Sequence, residues 1–110
     1  MSEKNRPIRD KVLSMLGLAA RSRNVVSGGF ATENAVKSGK AYLVIVSEDA
    51  SDNTKKKFRN MCDFYEVPFY LYGRMEENGH SMGKQDRTSL AVTDEGFANS
   101  IRKHLEDSNQ

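Results

Sequence analysis

Asp49 stands just beyond the run Ala41-Tyr42-Leu43-Val44-Ile45-Val46, within the acidic and small stretch Ser47-Glu48-Asp49-Ala50-Ser51-Asp52-Asn53-Thr54. An acid at the end of a buried strand is what a phosphoacceptor domain needs. That chemistry also requires an earlier strand ending in an acidic pair to hold magnesium, and a lysine on a later loop. The only earlier strand pattern ends Val26-Ser27-Gly28, so the magnesium ligands are missing and this reading is rejected. Gly28-Gly29 is followed by no Lys-Ser/Thr pair and makes neither a phosphate-cradling loop nor a dinucleotide fingerprint. His80 and His104 lack cysteine or carboxylate partners at metal-ligand spacing, which argues against zinc. Cys62 falls on an apolar helical stripe. Reactive thiolates need an electropositive, partly exposed setting, so a buried structural thiol is expected there. Neither a nucleophile–base pair nor a metal constellation emerges, and no catalysis, metal or cofactor is expected. Binding is what remains, because loops beyond the C-terminal ends of strands are where α/β folds place their sites.

The elements that position those loops follow from periodicity. Val12, Leu13, Leu16 and Ala20 recur at helical spacing and predict a first amphipathic helix over 8–21. A short strand at 24–27 precedes a second helix on Ala31, Ala35 and Val36 that ends at Gly39. The central strand is expected over 41–46, six apolar residues of which three are β-branched. Ser51, Asp52 or Thr54 caps a third helix whose Phe58, Met61, Cys62 and Tyr65 share one face. A strand over 67–72 tolerates Pro68 near its start. A short helix over 76–82, a last strand over 90–93 and a final helix on Phe97, Ile101 and Leu105, capped by Asp94, complete the chain. Strands alternating with helices predict helices on both faces of a sheet.

Composition bounds the partners. The 110 residues predict one domain with its core at about 8–106; the hydrophobic fraction is 37% and the charged fraction 29%. No apolar run is long enough for a membrane span, the first seven residues lack a secretory pattern, and one cysteine excludes an internal disulfide. A cytoplasmic location is expected. The net charge is +2, yet residues 1–23 carry six cations (Lys4, Arg6, Arg9, Lys11, Arg21, Arg23) against two acids (Glu3, Asp10). A basic arm on a nearly neutral body suits a polyanion as well as it suits a solvated helix. Lys55-Lys56-Lys57 occupies a helix start, where cations oppose the dipole; a solvated face and a phosphate-facing surface both fit it.

Ordered sequence blocks carry a resemblance over residues 12 to about 103. They are Leu16-Gly17-Leu18-Ala19-Ala20-Arg21, Val25-Val26-Ser27-Gly28, Ser38-Gly39-Lys40-Ala41-Tyr42-Leu43-Val44, Glu48-Asp49-Ala50-Ser51, Asn53-Thr54-Lys55-Lys56-Lys57, Cys62-Asp63-Phe64-Tyr65-Glu66-Val67-Pro68, Gly83-Lys84 and Ala91-Val92-Thr93-Asp94-Glu95-Gly96-Phe97. The chain resembles the YlxQ-like branch of the kink-turn RNA-binding ribosomal proteins, the L-seven-Ae and L-thirty-e superfamily. The resemblance implies an α/β fold, a three-layer α/β/α sandwich around a four-stranded mixed sheet. It also implies a non-catalytic, ribosome-associated protein that recognises structured RNA such as a kink-turn. The superfamily also includes stress-response proteins that bind protein partners, so a protein-interaction module on the same fold stays open.

The resemblance places the RNA site at the start of the second helix, the loop after the central strand and the loop before the last strand. The candidate residues are Gly28, Gly29, Phe30, Asn34 and Lys37 in the first place, Asp49 and Ser51 in the second, and Lys84, Arg87, Thr88 and Ser89 in the third. At the helix start the family carries a Gly-x-Asn-Glu-x-x-Lys pattern. Here the glycine is kept, while Phe30, Ala31 and Asn34 replace the asparagine, glutamate and lysine. Hydrogen bonds that recognise sheared G·A pairs are thereby lost, and so is one phosphate contact. Phe30 has two open readings, stacking on an unpaired base or packing on the core. Asp49 and Ser51 would also serve as helix caps.

Overall fold

The computed structural model describes the backbone of residues 6–108 and the side chains of residues 11–107. The cations Lys4, Arg6 and Arg9 of the expected basic arm therefore lie outside the described side chains. In chain order the elements are α1 (Arg6–Arg21), β1 (Val25–Ser27), α2 (Gly29–Lys37), β2 (Leu43–Val46), α3 (Asp52–Tyr65), β3 (Phe69–Leu71), α4 (Met75–Ser81), β4 (Ser89–Val92) and α5 (Glu95–Ser108). The strands form one sheet in the order β1-β4-β2-β3. β4 runs antiparallel to both neighbours, pairing Val25 with Val92 on one side and Val44 with Ala91 on the other, whereas β2 and β3 are parallel. The expected mixed four-stranded sheet is thus observed.

β2 is continuous apolar chain because both its faces are covered. Leu43 and Ile45 point into one core with Val12 and Leu16 of α1 and Ala98, Ile101 and Leu105 of α5. Val44 and Val46 point into a second core with Ala35 and Val36 of α2 and Phe58 and Cys62 of α3. Each buried Val, Leu, Ile or Phe among them contributes about 1.5–3 kcal/mol, and the two half-cores on opposite faces of the sheet make the three layers. Burial pushes the Cys62 thiol up to about 11, which keeps it protonated and inert, as its place on the stripe implied.

Local signals set the ends. Ser51 caps α3, its Oγ accepting the Thr54 N–H at 3.2 Å, and Asp94 does the same for α5 through the Phe97 N–H at 2.9 Å. The strands are shorter than their apolar runs. The Ala41 N–H, for example, donates back to the Ala35 carbonyl at 3.1 Å and so belongs to the turn that ends α2. The apolar stripe of α3 also stops early, since Tyr65 is 41% exposed and lies edge-on to Phe64.

α3 ends in a left-handed residue, Glu66 at φ 58, with the Val67 N–H reaching the Cys62 carbonyl at 2.8 Å. Glycine is favoured there, because a side chain in this conformation costs about 1–2 kcal/mol. Glu66→Gly is expected to raise the urea midpoint, with a net gain of about 0.5–1 kcal/mol once the freer unfolded chain is discounted. An unchanged or lower midpoint would contradict a strained helix end.

Candidate nucleic-acid interface

The β1–α2 turn, the β2–α3 loop and the α4–β4 loop meet at one end of the sheet, and hydrogen bonds tie them together. Gly28 sits at φ 97, a conformation that glycine alone adopts without strain. Its N–H donates to the Ser89 carbonyl at 2.9 Å, and its carbonyl accepts the Thr32 N–H at 2.9 Å, the first bond of α2. The amides of Gly29, Phe30 and Ala31 precede that bond and have no intrahelical acceptor. No side chain caps them.

Below this lip lies a buried polar net. The Ser47 Oγ donates to the Arg87 carbonyl at 2.8 Å and the Ser47 N–H to the Thr88 carbonyl at 2.8 Å. The Asn78 Nδ2 donates to Ser47 Oγ at 3.2 Å and to the Tyr72 carbonyl at 2.9 Å. The Ser89 Oγ meets Thr32 Oγ1 at 3.3 Å, and both residues are buried. Arg87 itself is anchored by its N–H to the Met75 carbonyl at 3.0 Å, while its Nε donates to Ser27 Oγ at 3.0 Å and an Nη1 hydrogen to the Asp86 carbonyl at 3.1 Å. A guanidinium has five donors, so three are left over for a ligand.

The candidate residues divide by role in this geometry. Gly28, Gly29, Phe30 and Arg87 come together around the β1–α2 turn. Phe30 is 82% exposed, which overturns its core-packing alternative. Lys84 is exposed on the same α4–β4 loop as Arg87. Thr88 and Ser89 face inward, Thr88 donating to the Met75 sulfur at 3.2 Å, so both position the loop. Ser51 caps α3. Asp49 is committed to α4, its Oδ1 accepting the Met75 N–H at 2.9 Å and its Oδ2 lying 3.6 Å from Arg74.

Asn34 is exposed one turn into α2. Lys37 lies in the last turn, about 12 Å along the axis from the helix start at 1.5 Å per residue, and is not gathered with the others. Its ammonium pairs with Glu33 at 2.7 Å, and Lys57 of α3 pairs with the second Glu33 oxygen at 3.1 Å. Hydrogen bonds from these two lysines hold the Glu33 carboxyl below its usual range, so its charge is matched internally. Ser47, Asn78 and Arg74 were not anticipated. Ser47 carried a signal as the polar residue continuing a buried strand; Asn78, in a short polar helix, carried none. Among the described residues no cluster of His, Cys, Asp or Glu could hold a metal, and no helix is long and apolar enough to cross a membrane.

Residues 10–102 match the ribosomal protein L7Ae/L30e/S12e/Gadd45 family. RNA-binding protein YlxQ of Bacillus subtilis (strain 168) is 44% identical over 87 residues, covering 79% of this chain and 87% of that protein. RNA-binding protein YlxQ of Enterococcus faecium is 34% identical over 98 residues, covering 89% and 94% respectively. A solved structure of a protein with unknown function from Bacillus halodurans C superposes with a TM-score of 0.85 at 38% identity, over 87% of this chain and 97% of that one. The Giardia lamblia 15.5kD RNA binding protein shares the fold with a TM-score of 0.76 at 18% identity, over 99% and 91%. With a family match that spans all three layers and the turn at Gly28, the chain belongs to the ribosomal protein L7Ae/L30e/S12e/Gadd45 family.

Proposed function

We propose that the chain is a single, non-catalytic RNA-binding domain that grips structured RNA of the kink-turn kind, in the cytoplasm and in association with ribosomal particles. The observation that carries this reading is the unguarded start of α2. Three helix-start amides without an intrahelical acceptor or side-chain cap, an aromatic ring 82% exposed and an arginine with spare donors surround one turn. Helix-start amides and a guanidinium favour phosphate, and an exposed ring offers a face for an unpaired base. The names of the YlxQ relatives support the same partner. Ala31 and Asn34 supply neither the carboxylate nor the cation of the family pattern, so recognition here leans on stacking and backbone contacts.

The test is a titration against a kink-turn duplex and a straight duplex of equal length at two salt concentrations. A preference for the kink-turn is expected. Arg87→Ala should weaken binding to both and lower the salt slope by about one, as for a single phosphate contact. Lys37→Ala, already paired with Glu33, should change the slope less. Equal, salt-sensitive binding to both duplexes would leave only general phosphate attraction. A second reading, a surface for a protein partner, is favoured by one observation: Phe64 and Tyr65 stand exposed together at the end of α3. Absence of binding to either RNA would shift the conclusion to it.

A further inference from the structure

We infer that the interface extends past Arg87 into a cationic groove along the outer edge of β1, and that this groove takes the phosphodiester backbone of the RNA strand leaving the site. This rests on the RNA-binding reading. The groove has a volume of about 400 Å³ and is walled by Arg21, Arg23 and Lys84 over Val25, Val26 and Ser27. Among the described residues, no acid lines it. β1 is an edge strand, so the groove opens along the side of the sheet that no further strand covers. It is continuous with the α2 lip, because Ser27 forms its end and accepts the Arg87 Nε–H at 3.0 Å. Where Glu33 and Asp49 have their charges matched by nearby cations, the three groove cations are exposed and stand in none of the ion pairs found among the described residues. Arg21 also borders a neighbouring groove that holds Glu77, so Arg23 and Lys84 carry most of the argument.

Backbone geometry adds a second observation. α1 ends with the Asn24 N–H on the Ala19 carbonyl at 2.7 Å and the Arg23 N–H on the Ala20 carbonyl at 3.0 Å, which puts Arg23 at φ 64. Glycine is the unstrained residue at this position of a helix end, and a long cationic side chain is not. Glu66 carries the same cost at the end of α3, and at Arg23 the residue that carries it is a cation facing the β1 groove. Two cations lining the groove match two phosphates of one strand in charge.

The experiment compares the full chain with Arg23→Gly, Lys84→Gln and their combination, using the kink-turn duplex with one helix extended beyond the bend. A control pair, Arg59→Gln with Lys103→Gln, removes the same charge from exposed positions outside the groove. Arg23→Gly is expected to keep or raise the denaturation midpoint while weakening binding. The combined variant should lower the slope of log K against log salt by about 1.8, two contacts at about 0.9 each, and leave the kink-turn preference unchanged. The control pair should alter the slope far less. Wild-type slope and affinity in the combined variant, or an equal loss in the control pair, would overturn the groove. Failure of the wild-type chain to bind either RNA would instead overturn the RNA-binding reading, and the groove with it.

Discussion

Gly79→Ala is expected to destabilise the protein by about 3 kcal/mol, near the upper end for an overpacked site, and to weaken RNA binding with it. A Cβ at this position would lie 1.8 Å from the Gln85 oxygen, 2.6 Å from the Gln85 carbonyl carbon and 3.1 Å from the Arg87 nitrogen. All three are backbone atoms, so no side-chain rotation relieves the clash. Either α4 or the 84–87 segment must move. That segment is held to α4 by the Arg87 N–H on Met75 and the Lys84 N–H on Gly79, and to β2 by Ser47 on the Arg87 carbonyl. Lifting it strands the buried Ser47 hydroxyl, and a buried polar group left without its partner costs about 1–3 kcal/mol. Arg87 would leave Ser27 at the same time. Urea denaturation together with RNA titration checks this, with Gly29→Ala as the control. Gly29 has open space around its Cβ position and an ordinary φ, so alanine there should leave stability nearly unchanged. Wild-type stability in Gly79→Ala would mean that the loop does not pack on α4 as described.

Gly79 also marks the limit of what sequence reading reaches. The layers were legible because their causes are local and periodic. Val12, Leu16 and Ala20 announce α1, and the unbroken Leu43–Val46 run announces a strand covered on both faces. Ser51 and Asp94 announce helix starts through a cap geometry that three or four residues decide. The site was legible only as three stretches of chain. Which of their residues face a ligand depends on contacts between stretches, and periodicity holds no record of those. Asp49 reads as a binding residue or a cap for the helix that follows it, and its carboxylate caps α4, a helix that begins 26 positions later in the chain. Ser89 looked like a loop residue and is sealed against Thr32, 57 positions away. Lys37 lies on α2, but in its last turn, where its ammonium is paired with Glu33. The same reasoning explains why Asn78 went unseen: its work is done on Ser47 and Tyr72, and nothing in the sequence around it says so.

Phe30→Ala is the converse experiment, a large loss of binding with no loss of fold. The ring is 82% exposed, so folding gains little from it, and a substitution away from packed features moves stability by less than about 0.5 kcal/mol. Its position just inside the uncapped start of α2 places an apolar face beside amides that attract phosphate. Stacking of one base on one aromatic ring is worth about 1–3 kcal/mol, so affinity for the kink-turn duplex should fall by about 5- to 150-fold at fixed salt. The series separates stacking from mere bulk. Phe30→Tyr keeps a ring face and should bind nearly as the wild type, whereas Phe30→Leu keeps apolar volume without the face and should behave like the alanine variant. No charge moves in any of them, so the salt slope should hold while affinity changes, the opposite of the Arg87→Ala result. Equal affinity across the whole series would show that the ring meets no base. Discrimination would then have to come from the amides and Arg87 alone, and those read the path of a backbone without reading its sequence.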